Sequence, residues 1–375
     1  MIGRYLVQNI KNKLFKGKAI ILFGPRQVGK TTLINDLLKN TDYKILFLDG
    51  DDPYIQDILN RPNTEQLKQL LGKNNIVFID EAQRINEIGL TSKIIVDQIK
   101  DEQLILSGSS SFDLANTTQE PLTGRKWTFN LWPISWGEWE EHIGYLKAQQ
   151  DLESRLVYGM YPDVLNHLDE QQNILKELSD SYLYKDILSF ANLNKPELVH
   201  KIVKALAFQV GSEVSYNEVA QLVGADPKTV THYIDILEKA FILFRLPTFS
   251  RNLRDEIKTN RKIYFYDNGI RNAAINQFQP VGMRQDIGAL WENFLMSERQ
   301  KVLAYNNISA EKYFWRTKQM QEIDYIEEKD GKITAFEFKW NPKRNIQFSK
   351  TFTENYACTT LGVTKENFRE FLKIS

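Results

Sequence analysis

Four short apolar runs, Ala19–Phe23, Ile45–Leu48, Ile76–Ile79 and Leu104–Leu106, recur through the first part of the chain with little polar alternation. Such runs predict strands covered on both faces, as in a parallel sheet. Between them, apolar positions fall at helical spacing over 30–39, 64–72 and 91–100. Strand and helix in alternation predict an α/β, doubly wound domain over residues 1–170, with ligands at the carboxyl ends of its strands.

Residues 171–284 read differently. Helical patterns dominate from Glu170 to Ala207, and Ser215 with Glu218 forms a capping box that opens a helix over Asn217–Val223. Gly224-Ala225 turns the chain, Asp226-Pro227 starts a second helix over 228–240, and Ile242–Leu246 and Lys262–Tyr266 follow as two strands. Helix, turn, helix and hairpin predict a winged helix. The outer face of the second helix carries Lys228, Thr229, Thr231, His232 and Asp235, a thin basic complement for a major groove. Arg251, Arg254, Lys258, Arg261 and Lys262 offer an alternative contact with DNA, or a solvated loop.

Over 285–375, Gly288–Lys301 reads as a helix, E-I-D-Y-I as a strand, and Lys329-Asp330-Gly331-Lys332 as a hairpin turn into the strand I-T-A-F-E-F-K-W. Alternate residues of a strand share a face, so Glu337 and Lys339 project together, and a paired strand brings Asp324 beside them. With Glu292 from the preceding helix, these acids suit a hard divalent cation, and the lysine suits developing charge. The same E-x-K spacing also arises on a solvated strand.

Composition narrows the classes. The 375 residues exceed one comfortable core, so two or three domains are expected. Forty-eight basic residues balance 48 acidic ones, so bulk charge does not favour nucleic acid and any basic surface is local. One cysteine, Cys358, permits no internal disulfide and no cysteine zinc cluster. A cytoplasmic address, without a leader or a membrane-spanning run, is the expectation. Trp127, Trp132, Trp136 and Trp139 crowd around Pro133, as packing at a junction or as an aromatic stacking surface.

The most specific chemistry lies between the first strand and its helix. Residues 24–32 read G-P-R-Q-V-G-K-T-T, a glycine-bounded loop that can direct its N–H groups at a phosphate. Gly24, Pro25, Arg26, Gln27, Val28, Gly29, Lys30, Thr31 and Thr32 are therefore expected to bind ATP. In this motif the lysine, Lys30, reaches the β- and γ-phosphates and the hydroxyl of Thr31 meets Mg²⁺. The third strand ends in Asp80-Glu81, with Asp80 suited to the Mg²⁺ shell and Glu81 to polarising a water. Ser107 closes the fourth strand, as a γ-phosphate sensor or a turn cap. Arg125 follows in L-T-G-R, as a surface arginine or a transition-state contact in cis or from a second subunit, the latter implying a homo-oligomer.

With those residues placed, the chain resembles a prokaryotic AAA-type ATPase family with an N-terminal P-loop domain and a C-terminal domain related to restriction-endonuclease-like folds. The likeness runs through F-I-D-E-A-Q at 78–83, L-S-G-S-S at 106–110, L-W-P-I-S-W-G-E at 131–138, G-M-Y-P at 159–162, Y-F-Y-D-N-G at 264–269, W-E-N at 291–293 and W-R-T-K at 315–318. Met160 departs from it, where a second glycine is common. The resemblance implies ATP and Mg²⁺ at Lys30, Thr31 and Asp80, and catalysis by Glu81 with Ser107 and Arg125. It also implies a winged-helix middle and a PD-(D/E)XK-like site on Asp324, Glu337 and Lys339, helped by Glu292.

Two functions follow: an ATPase coupled to DNA processing, or an ATP-switched interaction protein whose nuclease-like domain is inactive. A tracking motor fits less well, since no second motor domain is visible.

Overall fold

The computed structural model describes residues 1–39, 41–109, 118, 121–180, 195–251 and 261–373. It divides into two compact units, Met1–Trp132 with Lys239–Phe241, and Pro133–Glu238 with Ile242–Ser375. The first unit thus ends well before residue 170, because the chain beyond Trp132 packs into the second.

The first unit is built on a parallel sheet of β1 (Ala19–Phe23), β2 (Ile45–Asp49), β3 (Ile76–Asp80), β4 (Gln103–Gly108) and β5 (Lys126–Asn130), in the order β2-β3-β4-β1-β5. Helices α1 (Leu6–Lys11), α2 (Lys30–Leu38), α3 (Pro53–Leu59), α4 (Thr64–Leu71) and α5 (Ile88–Gln98) complete it. The central strands β1 and β4 are buried at every position, as their unbroken apolar runs require. The edge strands differ. Ile45 and Phe47 of β2 are about half exposed, and β5, K-W-T-F-N, carries a polar alternation that hides it among the predicted elements.

The second unit begins with α6 (Trp136–Ile143), α7 (Tyr145–Tyr158), α8 (Pro162–Asn166), α9 (Gln171–Asp180) and α10 (Pro196–Phe208). The chain then runs through β6 (Glu213–Val214), α11 (Tyr216–Val223), α12 (Pro227–Lys239), β7 (Leu243–Leu246) and β8 (Arg261–Phe265). The last three strands form an antiparallel sheet in the order β6-β8-β7. Ser215 caps α11 through the Glu218 N–H at 3.4 Å, and Gly224 ends it at φ +70°.

Next come α13 (Asn268–Ala274), α14 (Ile287–Tyr305), and a mixed sheet of β9 (Glu311–Arg316), β10 (Glu322–Lys329), β11 (Lys332–Phe338) and β12 (Cys358–Val363). Its order is β12-β11-β10-β9, with β12 parallel to β11. Helices α15 (Lys350–Asn355) and α16 (Phe368–Phe371) finish the unit. The β10–β11 turn is the expected tight hairpin, with Asp330 at φ +51° and Gly331 at φ +74°. Phe249, Trp315, Ile323, Ile326, Ile333, Ala335 and Phe352 form one of its cores.

A polar network replaces part of the apolar core here, and it explains several sequence motifs. The buried Asp267 carboxylate accepts from Met160 N at 2.7 Å and Ile270 N at 3.1 Å. Asn293 exchanges bonds with the Phe265 backbone at 2.7 and 3.1 Å and donates to Asn268 at 2.6 Å. G-M-Y-P, Y-F-Y-D-N-G and W-E-N are therefore interlocking structural segments, tied together through Asp267, Asn268 and Asn293. Two of the four tryptophans are fixed within this unit: the rings of Trp136 and Phe294 lie 5.9 Å apart, and Trp139 donates to Asp151 at 2.9 Å.

Candidate functional site

The loop after β1 turns through two left-handed positions, Gln27 at φ +60° and Gly29 at φ +90°. Gly29 caps α2, so the helix's free N–H groups face the loop. Gly24 answers to packing instead: a Cβ there would collide with the Leu131 carbonyl, next to β5. Lys30 is 5% exposed and folds over the loop, donating to Gly24 O at 2.9 Å and Pro25 O at 3.1 Å. Arg4, which the sequence did not single out, braces the loop by donating to Val28 O at 3.0 Å and Trp132 O at 2.5 Å.

The carboxyl ends of β3 and β4 meet this loop. Thr31 Oγ1 donates to Asp80 Oδ2 at 2.5 Å, and Ser107 Oγ donates to Asp80 Oδ1. Asp80 thereby gathers the two hydroxyls from α2 and β4. Glu81 follows at φ +45°, and its carboxylate accepts from Gln83 Nε2 at 2.5 Å. Gln83 also donates to Ser109 Oγ at 3.2 Å, so one amide ties Glu81 to the segment after β4. Among the described residues, the buried Gln83 Oε1 has no hydrogen-bond partner. Gly50, at the end of β2, packs backbone to backbone behind the acids: its N–H donates to Asp80 O at 2.9 Å, and a Cβ there would stand 2.5 Å from Glu81 O and 2.7 Å from Asp80 O. Nothing in the F-L-D-G-D-D sequence flags that role.

Arg125 lies elsewhere. It precedes β5, its carbonyl accepts from Ala19 N at 2.9 Å, and its guanidinium pairs with Asp97 at 2.7 Å. Asp97 lies in α5, and Ala19 opens β1, at the far end of that strand from the loop. The structure therefore does not bring Arg125 together with Glu81 within one chain. Ser110, quoted with the L-S-G-S-S segment, lies outside the described residues.

A second constellation forms in the second unit. Asp324 falls where β10 shifts register against β9, an irregularity of the kind that re-aims a side chain. Its Oδ2 accepts from Phe338 N at 2.8 Å and lies 3.6 Å from Lys339 Nζ, which is 3.1 Å from Glu337 Oε2. Asp324, Glu337 and Lys339 thus converge as the strand spacing predicts. Burial, and then the nearby Asp324 charge, push the Glu337 carboxyl up to about 8.

Glu292 is held apart by partners absent from the sequence reading. Its Oε1 accepts from Tyr264 OH at 2.6 Å and pairs with Lys262 Nζ at 2.9 Å. Lys262 also reaches Glu322 at 2.6 Å and is 1% exposed. The expectation that Lys262 joins a nucleic-acid contact is therefore corrected: β8 directs it inward, toward acids. Arg251 pairs with Glu328 at 3.2 Å, while Arg254 and Lys258 lie outside the described residues. Among the described residues, no three His, Cys, Asp or Glu side chains are arranged to hold a metal ion. Nor, among them, is any helix long and apolar enough to cross a membrane.

The fold and the loop define an AAA-type P-loop domain, and the comparisons agree. Residues 16–140 match the family described as "AAA domain". Residues 149–281 and 287–370 match two families described as "Domain of unknown function", DUF8612 and DUF4143. The uncharacterized protein Rv2008c of Mycobacterium tuberculosis is 25% identical over 334 residues, covering 88% of this chain and 72% of that protein. An uncharacterized protein of Haemophilus influenzae is 26% identical over 290 residues, covering 68% and 69%. Among solved structures, a STAND ATPase with a tetratricopeptide repeat sensor from Pyrococcus horikoshii has 13% identity and a TM-score of 0.30, covering 81% of this chain and 47% of that one. Drosophila ORC bound to AT-rich DNA and Cdc6 has 10% identity and a TM-score of 0.28, covering 71% and 88%.

Proposed function

We propose that the protein hydrolyses ATP with Mg²⁺ in its first unit and couples nucleotide state to DNA through its second. The observation that carries the ATPase reading is Asp80 accepting from both Thr31 and Ser107, with Glu81 held beside it by Gln83. The residues fit the ligands. The loop from Gly24 to Thr32 offers N–H groups and Lys30 to the phosphates, and Thr31 with Asp80 offers oxygens to Mg²⁺. Held by Thr31 and Asp80, Mg²⁺ would neutralise charge on the phosphates. Glu81 orients the attacking water and accepts its proton, and Ser107 fixes the Asp80 carboxylate. Arg125 acts, if on a γ-phosphate, on that of a neighbouring copy, since its own chain holds it at Asp97.

The DNA half of the proposal rests on the order α10, β6, α11, α12, β7, β8 with its three-stranded sheet, which supports reading residues 196–265 as a winged helix. Asp324, Glu337 and Lys339 support reading the following module as nuclease-like. A second reading, an ATP-switched regulator with a silent nuclease-like module, is favoured by Lys262 lodged against Glu292 and Glu322. The test is phosphate release by the full chain with Mg²⁺, wild type against Lys30→Ala, followed by cleavage of DNA and RNA with Mg²⁺ or Mn²⁺, wild type against Asp324→Ala. Turnover that survives Lys30→Ala refutes the nucleotide site. Cleavage lost in Asp324→Ala refutes the regulator reading, and cleavage that survives Asp324→Ala refutes the nuclease site.

A further inference from the structure

The acid cluster of the second unit contains a cation of its own. Lys262 enters from β8, outside the helix and sheet that carry the acids, and its ammonium lies 2.9 Å from Glu292 and 2.6 Å from Glu322. Both partners are held in place: Tyr264, two residues along the same strand, donates to Glu292 at 2.6 Å, and Arg316 stands 3.8 Å from Glu322. A lysine 1% exposed is costly to desolvate unless carboxylates surround it, and here they do. Burial alone would lower its pKa, but Glu292, Asp324 and Glu322 outweigh it and lift the pKa above the ordinary lysine value. Lys339 meets the other two acids, Asp324 and Glu337. Four carboxylates therefore face two ammonium groups, and the one from β8 is the more deeply enclosed.

We propose that Lys262 is a built-in counter-ion occupying the place of a divalent cation in this cluster, so that metal enters only when Lys262 is withdrawn. The inference rests on reading Asp324 and Glu337 as metal-capable, and it specifies how that capacity is regulated. The Lys262 ammonium lies between Glu292 and Glu322, in the space that a cation bridging those two carboxylates would fill. The strand that carries Lys262 belongs to the helix–hairpin module, not to the nuclease-like one. Displacement of β8 by a ligand of that module would therefore free Glu292 and Glu322 for metal.

The experiment is Mn²⁺ binding to the full chain without nucleotide, followed by the electron paramagnetic resonance signal of free Mn²⁺. Asp324→Asn measures binding that does not belong to the cluster. Wild type should show no Asp324-dependent binding below millimolar Mn²⁺. Lys262→Met and Lys262→Gln should bind at least about tenfold more tightly, Asp324→Asn should abolish the gain, and Lys262→Arg should bind like wild type. Micromolar, Asp324-dependent binding by wild type overturns the proposal even if no Lys262 variant folds. So does a Lys262→Gln protein that melts as wild type yet gains no metal. If Lys262→Gln gains metal but cleaves no nucleic acid, the counter-ion assignment stands and the nuclease reading fails. Phosphate release from ATP should be unchanged in every Lys262 variant, which separates this result from the fate of the ATPase reading.

Discussion

Gly50→Ala tests whether the geometry of the Asp80-Glu81 turn governs turnover. A methyl group at Gly50 would stand 2.5 Å from Glu81 O, where ordinary contact begins near 3.4 Å, so the turn must retreat by about 0.9 Å. The obstacle is backbone on both sides, since Gly50 N also donates to Asp80 O at 2.9 Å, and no flexible side chain can absorb the shift. A misplacement near 1 Å at a group that orients the nucleophile costs about 10²-fold in rate, roughly 2.7 kcal/mol of barrier. ATP affinity should change little, because the atoms a methyl group at Gly50 would meet belong to the Asp80-Glu81 backbone and not to the loop from Gly24 to Thr32. Steady-state phosphate release should thus show kcat down about 100-fold with KM within a few-fold. A folded Gly50→Ala enzyme with wild-type kcat refutes the reasoning. So does one that has lost ATP binding while keeping its rate at saturation.

Gln83→Ala should lower kcat more than it changes KM, by about tenfold, because Glu81 loses the amide that orients it; equal change in both parameters in steady-state kinetics would argue for a binding role. Gly159→Ala should destabilise the second unit by about 3 kcal/mol or more, since φ +71° disfavours any Cβ and the new methyl strikes the buried Asp267 carboxylate; a denaturant titration with tryptophan fluorescence reads the midpoint, and an unchanged midpoint contradicts the packing. The Glu102 carboxyl is pushed up to about 7, first by burial and then by Asp101, and its Oε2 has no hydrogen-bond partner among the described residues. Its folded-state pKa lies above the unfolded value, so the stability it contributes is present below about pH 4.5 and is lost as pH rises through 7. Glu102→Gln should therefore be more stable than wild type at pH 9 and no more stable at pH 4, as read by thermal melting.

The sequence made most of the parallel sheet legible, for a physical reason. Strands covered on both faces, such as β1 and the Leu104–Leu106 core of β4, bury apolar side chains without alternation. The edge strand β5 needs only one covered side, and K-W-T-F-N looked like part of an aromatic junction. β9 and β12, which border the C-terminal sheet, were missed in the same way. At the candidate nucleotide site, Lys30 and Thr31 stood out through the spacing of the glycine-bounded loop, and Asp80 as the acid that closes an apolar strand. Gly50, Arg4 and Gln83 were not, because their roles arise from approaches between distant segments. Gly24 was found for one reason and is needed for another, close contact with Leu131. Glu292 shows the limit of spacing arguments most clearly: its helix was read correctly, and its partners, Lys262 and Tyr264, arrive from a strand 28 to 30 residues earlier.

The central claim is that residues at the carboxyl ends of β3 and β4 act on a nucleotide held by the loop after β1. The most direct test is to measure ATP binding and phosphate release on the same preparations of wild type and Glu81→Gln, with Mg²⁺. The account predicts hydrolysis by wild type, and in Glu81→Gln near-normal ATP affinity with phosphate release reduced by at least about 100-fold. Phosphate release by Glu81→Gln at the wild-type rate, or no Mg²⁺-dependent hydrolysis by wild type, would contradict it.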